Sequence, residues 1–259
     1  MDEFLAKLTN LSYEFLGVIV PGIVASLFLG MWWAALGSIA PLWSFEFVPQ
    51  LTSNNASGIV ESLSLKTGIG VAVPGLAIAY FLGHILLWIA RSGEPDECAT
   101  KSTWRRVRTS LVFRIPKPPR SFDEDLQPLY DAVQAKFAIG GSALPWTQFY
   151  PVVKSYLSKN LTYSLVATYQ NKYTLHRSIT AAAAGLFWHS AAGAAGGGVT
   201  WYLAGVAPRG GLLATLALLA FVLVLCFSSS YMYHWKMFGN TIITEAYSII
   251  YGPDAQPKQ

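Results

Sequence analysis

The chain has 259 residues, of which 12% are charged and 53% apolar, with a net charge of +4. Soluble domains carry about a quarter charged residues, so a single aqueous core cannot absorb this apolar surplus, and lipid must form part of the solvent. The two cysteines, Cys98 in a charged run and Cys226 in an apolar run, stand in unlike surroundings, which argues against a disulfide scaffold and for a reducing compartment.

Four charge-free stretches, 15–45, 67–90, 178–208 and 210–235, each exceed the roughly 20 residues that a helix needs to cross about 30 Å of hydrocarbon. They predict an all-α membrane protein with four transmembrane helices, near 13–38, 68–90, 179–205 and 211–233. A helical cytoplasmic segment, 91–178, joins the second helix to the third. The organisation is then an N-terminal hairpin over 1–90 with an external loop at 39–67, the central segment, a C-terminal hairpin over 179–233, and a cytoplasmic tail over 234–259. The first span reads as a retained helix and not a cleaved leader, because Asp2 and Glu3 precede it and Pro41 follows the small residues Ser38 and Ala40.

The first span contains Gly17-Val18-Ile19-Val20-Pro21-Gly22, and the second contains Gly70-Val71-Ala72-Val73-Pro74-Gly75. The match continues into Phe28-Leu29-Gly30 and Phe81-Leu82-Gly83. One reading is a pair of inverted, broken helices at Pro21, Gly22, Pro74 and Gly75, as transporters use near the midplane. The other is kinking and close packing, for which membrane helices commonly use Pro and Gly. Glu14, at the inner end of the first span, reads as a snorkelled or salt-bridged carboxylate. The external loop holds Asn55-Ala56-Ser57, a glycosylation-type triplet better read as polar turn residues.

In the central segment, Arg91 to Arg120 is basic and interrupted by Pro116, Pro118 and Pro119, which predicts extended chain. Arg105, Arg106 and Arg108 beside Trp104 suggest anionic lipid headgroups. The neighbouring spans and the acidic run 123–125 favour lipid over nucleic acid. Helices are expected from Ser121 to about Ile139, from Pro145 to about Lys159, and from about Leu161 into the third span.

That third span carries nine consecutive Ser, Ala and Gly residues, 190–198. Gly193 and Gly197 form a small-xxx-small pair, suited either to packing inside the bundle or to a subunit contact. His84 and His189 lie within spans, where polar groups are costly, and could ligate a b-type haem if brought to one level. His176 and His234 fall at the inner surface. After Trp235 the tail 237–251 predicts a separate, short amphipathic surface helix.

Thirteen of the 18 Lys and Arg lie between Arg91 and Arg177. Basic loops stay in the cytoplasm, so both termini and the central segment are placed inside. Trp32, Trp33, Trp43, Trp88, Trp201 and Trp235 fall near span ends, as an aromatic belt would. No phosphate loop, Cys-x-x-Cys, metal-spaced His/Glu cluster or nucleophile elbow occurs, which speaks against an enzyme.

Tyr13-x-x-x-Gly17 with Pro21-Gly22, and Tyr173-Thr174-Leu175-His176-Arg177-Ser178 before the third span, resemble uncharacterised bacterial four-helix inner-membrane proteins. Some of those are encoded beside soluble partners, including in anti-phage defence operons. The resemblance covers about forty residues. It implies a membrane component of a multi-protein system and transfers no catalytic residue. The expectation is therefore a non-enzymatic, oligomeric inner-membrane subunit without cofactor that docks a cytoplasmic protein. A channel or small-solute carrier is the alternative, and a haem electron carrier the third reading.

Overall fold

The computed structural model describes residues 15–37, 69–90, 102–115, 121–138, 142–161, 164–204 and 210–252. The external loop at 39–67 with Asn55, Glu14, Trp43, Arg91, the prolines at 116–119, Gly140-Gly141 and the last residues of the tail lie outside them. The described residues form seven helices and no strand.

A π turn over Phe15–Ile19 leads into α1 (Val20–Gly37). Pro21 has no N–H to return to the carbonyl four residues earlier, and a π turn is a usual way for a helix to absorb such a fault. α2 (Ile69–Ala90) packs antiparallel to α1. At Pro21-Gly22 the π turn gives way to α1, and α2 is continuous across Pro74-Gly75. The glycines serve contact. A Cβ on Gly22 would lie 1.6 Å from the Ala79 carbonyl oxygen, and one on Gly83 would lie 2.1 Å from that of Val18. Their sequence counterparts, Gly75 and Gly30, meet nothing within 4 Å. The echo is thus used asymmetrically, the Pro-Gly glycine of one helix crossing near the Phe-Leu-Gly glycine of the other.

The stretch expected to be extended contains a helix, α3 (Thr103–Leu111). Ser102 caps it, its hydroxyl accepting from the Arg105 N–H at 3.4 Å. Val107 and Ser110 form its buried face. A cap followed by apolar residues at 104, 107 and 111 is the sequence signal for this helix, and the prolines beyond it mask that signal.

A short 3-10 turn (Glu124–Leu126) opens α4 (Gln127–Phe137), and α5 (Trp146–Asn160) begins after Pro145. Both agree with the sequence expectation. Phe149, Val153 and Leu157 line the buried face of α5 at helical spacing.

The last two helices are the longest. α6 (Leu165–Ala204) has 40 residues and α7 (Gly210–Tyr251) has 42, about 60 Å each at 1.5 Å per residue. They form an antiparallel hairpin with ring contacts at Phe187–Phe221, Tyr173–Trp235 and Tyr169–His234. The tail helix expected at 237–251 is the continuation of α7, without a break after Trp235. Trp235 is 8% exposed, so it is a core residue of the hairpin and not part of an aromatic belt. Trp88, on α2, is 75% exposed.

Among the described residues one helix, Gly211–Tyr251, is long and apolar enough to cross a membrane, while Phe15–Gly30 and Gly75–Ala90 are shorter apolar helices. α6 is weaker by composition, because Ala, Gly and Ser replace Leu and Val over 190–198.

Candidate functional site

α6 and α7 are each about twice the roughly 20 residues that a membrane-crossing helix needs. The halves nearest 165 and 251 form a stalk, and residues 121–161 are folded onto it as a layer. The layer and stalk share one core: Val133, Phe149, Val153 and Leu157 from the layer with Tyr173, Trp235, Phe238, Ile242 and Ala246 from the stalk. A chain of rings runs through it, from Phe122 and Tyr130 to Phe149 and Trp146, then Tyr150, Phe238 and Tyr173. Offset and edge-to-face pairs of this kind add about 0.5–1.5 kcal/mol each beyond their area.

Polar contacts fix the register of the layer. The Asp123 backbone N–H donates to Asn240 Oδ1 at 2.9 Å, and Asn240 Nδ2 donates to Asp123 Oδ2 at 2.7 Å. Lys236 closes the group as an ion pair with Asp123. The hydrogen bonds from Lys236 and Asn240 hold the Asp123 carboxyl below the usual carboxylate range, so this link is complete at neutral pH and is lost only as pH falls through that lowered value. Between Lys236 and Asn240 sits Gly239, where a Cβ would lie 1.7 Å from the Ser121 carbonyl oxygen. At the far end, Glu245 accepts from the Ser164 hydroxyl at 2.6 Å and from the Leu165 N–H at 2.9 Å, capping the start of α6. The Tyr251 hydroxyl donates to the Ala132 carbonyl at 3.1 Å.

Two histidines that the sequence offers only as surface residues meet inside the hairpin. The rings of His176 and His234 stack 4.8 Å apart at 10°. Tyr169 lies beside His234, and Phe227 beside His176. Both Nδ1 atoms are buried without a hydrogen-bond partner. Burial, with the charges of His234 and Lys172, lowers His176 from 6.5 to about 4. The unfolded chain then binds more protons than the folded one between those values, so stability is full above about pH 6.5 and falls as pH drops toward 4. Thermal melts of detergent-solubilised protein should show a midpoint that declines across that window. His176→Gln should flatten the decline, and an unchanged pH profile in that variant would contradict the assignment.

The sites expected from sequence are dispersed. His84 is exposed on α2 with its ring edge-on to Tyr80 at 4.5 Å. His189 is exposed on α6, its Nδ1 donating to the Gly185 carbonyl at 2.7 Å. Each imidazole therefore engages its own helix. Gly193 and Gly197 lie on α6, and Gly193 is half-buried. Arg105 and Arg108 are exposed on α3, whereas Arg106 turns inward and donates to Ser229 Oγ at 3.0 Å and to Thr103 Oγ1 at 3.5 Å. Among the described residues no three His, Cys, Asp or Glu side chains gather as a metal site.

No protein-family model, no characterised protein and no solved structure matches this chain.

Proposed function

We propose that the protein is a four-span, non-enzymatic subunit of the bacterial inner membrane, with both termini and the 91–178 segment in the cytoplasm. Its last two helices carry a cytoplasmic platform on a stalk continuous with the membrane spans. The observation that supports this most is the shared core of layer and stalk. A helix pair that ended at the membrane surface would leave α4 and α5 without an apolar partner, and a short loop would need no such foundation. The charge map supplies the orientation. α1 and α2 form the other hairpin, their close glycine crossing being the kind of contact that drives helix association in lipid.

The platform offers a partner its outer side. Phe137 of α4 and Pro151, Val152, Ser155, Tyr156 and Lys159 of α5 line an open groove of about 470 Å³, on the face of α5 opposite Phe149, Val153 and Leu157. We assign a cytoplasmic protein to this side and a second copy of the chain to the Gly193/Gly197 face of α6. Membership of a multi-component operon, as in anti-phage defence, belongs to the same proposal.

A photo-crosslinking amino acid at Ser155, in the native host, should yield a discrete adduct with a cytoplasmic protein. The same amino acid at Leu218, exposed on α7 within the apolar half, should give none. Adducts from neither site, together with purification of the protein free of soluble partners, would overturn the platform reading.

A further inference from the structure

α3 does not lie across the hairpin but along it. At its base Arg106 reaches Ser229 of α7, and at its tip the Leu111 carbonyl accepts from the Trp188 indole N–H of α6 at 2.6 Å. Phe187, next to Trp188, faces Phe221. The base and tip of α3 are therefore separated by about eight residues of α7, or roughly 12 Å, which matches the length of a nine-residue helix. Val107 on its inner face packs with Ala183, Ala184 and Val224. At Phe113, with φ of 60°, the chain turns back, and Ile115 returns to the core of the layer.

The tip of α3 thus reaches the apolar part of the hairpin, while its base stays at the serines 228–230. A helix end in that position exposes carbonyls that lipid cannot satisfy. Trp188 takes up the Leu111 carbonyl. The outward face carries Trp104, 68% exposed, and Val112, 53% exposed, together with Arg105 and Arg108. Positions 104, 108 and 112 stand in one row, with 105 beside 108. Apolar side chains and guanidinium groups in one row at this depth fit one environment, the boundary between acyl chains and phosphates.

We propose that α3 is an inner-leaflet wedge that binds the phosphates of anionic phospholipid through Arg105 and Arg108, with Val112 at the tip against the acyl chains and Trp104 at the base among the headgroups. The proposal rests on the reading that α6 and α7 cross the bilayer. Nucleic acid is disfavoured because a duplex or strand would have to approach a helix laid along a membrane span, and because Trp104 and Val112 share the basic face.

The test uses the full-length protein, delipidated in mild detergent and mixed with equal amounts of phosphatidylglycerol and phosphatidylcholine, with retained lipid read by native mass spectrometry. The wild type should retain phosphatidylglycerol preferentially. The preference should fall about fivefold for each arginine removed, so that Arg105→Gln/Arg108→Gln loses nearly all of it. Arg105→Lys/Arg108→Lys should keep most of it, and Lys136→Gln, on α4, should keep all of it. Equal retention of the two lipids by the wild type would overturn the proposal, as would an undiminished preference in the Gln pair when that variant elutes like the wild type. Displacement of phosphatidylglycerol by inorganic phosphate would make this an anion site and not a lipid site. Displacement by a labelled oligonucleotide would reassign it to nucleic acid. Alkaline carbonate extraction distinguishes failure of the wedge from failure of the spanning reading. Extraction of the protein from membranes defeats the spanning reading itself, whereas an unextracted protein without lipid preference defeats only the wedge.

Discussion

Gly239→Leu should detach the 121–161 layer from the stalk while leaving the apolar half of the α6–α7 hairpin in place. The atom that a Cβ would strike is a backbone oxygen, that of Ser121, at 1.7 Å. It cannot yield by a side-chain rotation. Nor can the segment slide, since Asp123 two residues on is held by Asn240 and Lys236. Overpacking of this kind costs typically 1–3 kcal/mol and more where the backbone is fixed. The sign of the Gly239→Ala effect is diagnostic. In a helix with no neighbour, Ala stabilises relative to Gly by about 1 kcal/mol; under a docked layer it destabilises. Hydrogen exchange across α4 and α5 should accelerate in both variants, most in Gly239→Leu, with α7 amides in the apolar half unchanged. A Gly239→Ala protein with slower exchange in α4 and α5 would show that the layer does not sit there.

The second large effect belongs to the first hairpin. Gly22→Leu and Gly83→Leu each place a side chain where the partner backbone already is, at Ala79 and Val18. Association in lipid depends on close packing, because apolar surface gains nothing by leaving one hydrocarbon for another. Separating α1 from α2 should therefore cost a few kcal/mol, read as a lowered thermal aggregation temperature in detergent. The sequence echo provides the control. Gly30→Leu and Gly75→Leu occupy the matching positions, where nothing lies within 4 Å, and should be tolerated. Equal losses at all four glycines would contradict the observed crossing.

The helical content and the central helices were legible because they depend on local signals. Pro145 opens α5, the acidic run precedes α4, and the absence of a breaker between Leu165 and Ser178 carries α6 into the apolar stretch. What stayed hidden depends on partners distant in sequence. Gly239 reads as a helix fault until Ser121 is seen against it. Trp235 reads as a belt residue because its neighbours in sequence are apolar on one side and polar on the other, yet Tyr173 and Phe238 enclose it. His176 and His234 are 58 residues apart, and only the antiparallel pairing of two long helices stacks them. The Pro-Gly echo admits either a broken helix or close packing, because sequence does not show which glycine meets the partner helix. Its identity in sequence suggested a shared role, whereas the crossing uses one glycine from each copy at different motif positions. The three arginines of α3 stand as a group in the sequence, which does not show that Arg106 is turned inward to Ser229.

In the proposed topology two hairpins cross the bilayer and hold the layer on the inner side. Cysteine accessibility tests it most directly. In a Cys98→Ala/Cys226→Ala background, single cysteines at Asn55, Ala207, Ser155 and Gln259 would be exposed to a membrane-impermeant maleimide in spheroplasts. Positions 55 and 207 should be labelled in intact spheroplasts, and 155 and 259 only after permeabilisation. Labelling of 55 only after permeabilisation, alongside 155, would show that the first hairpin does not cross, and protection of 207 from the outside would rule out the proposed topology.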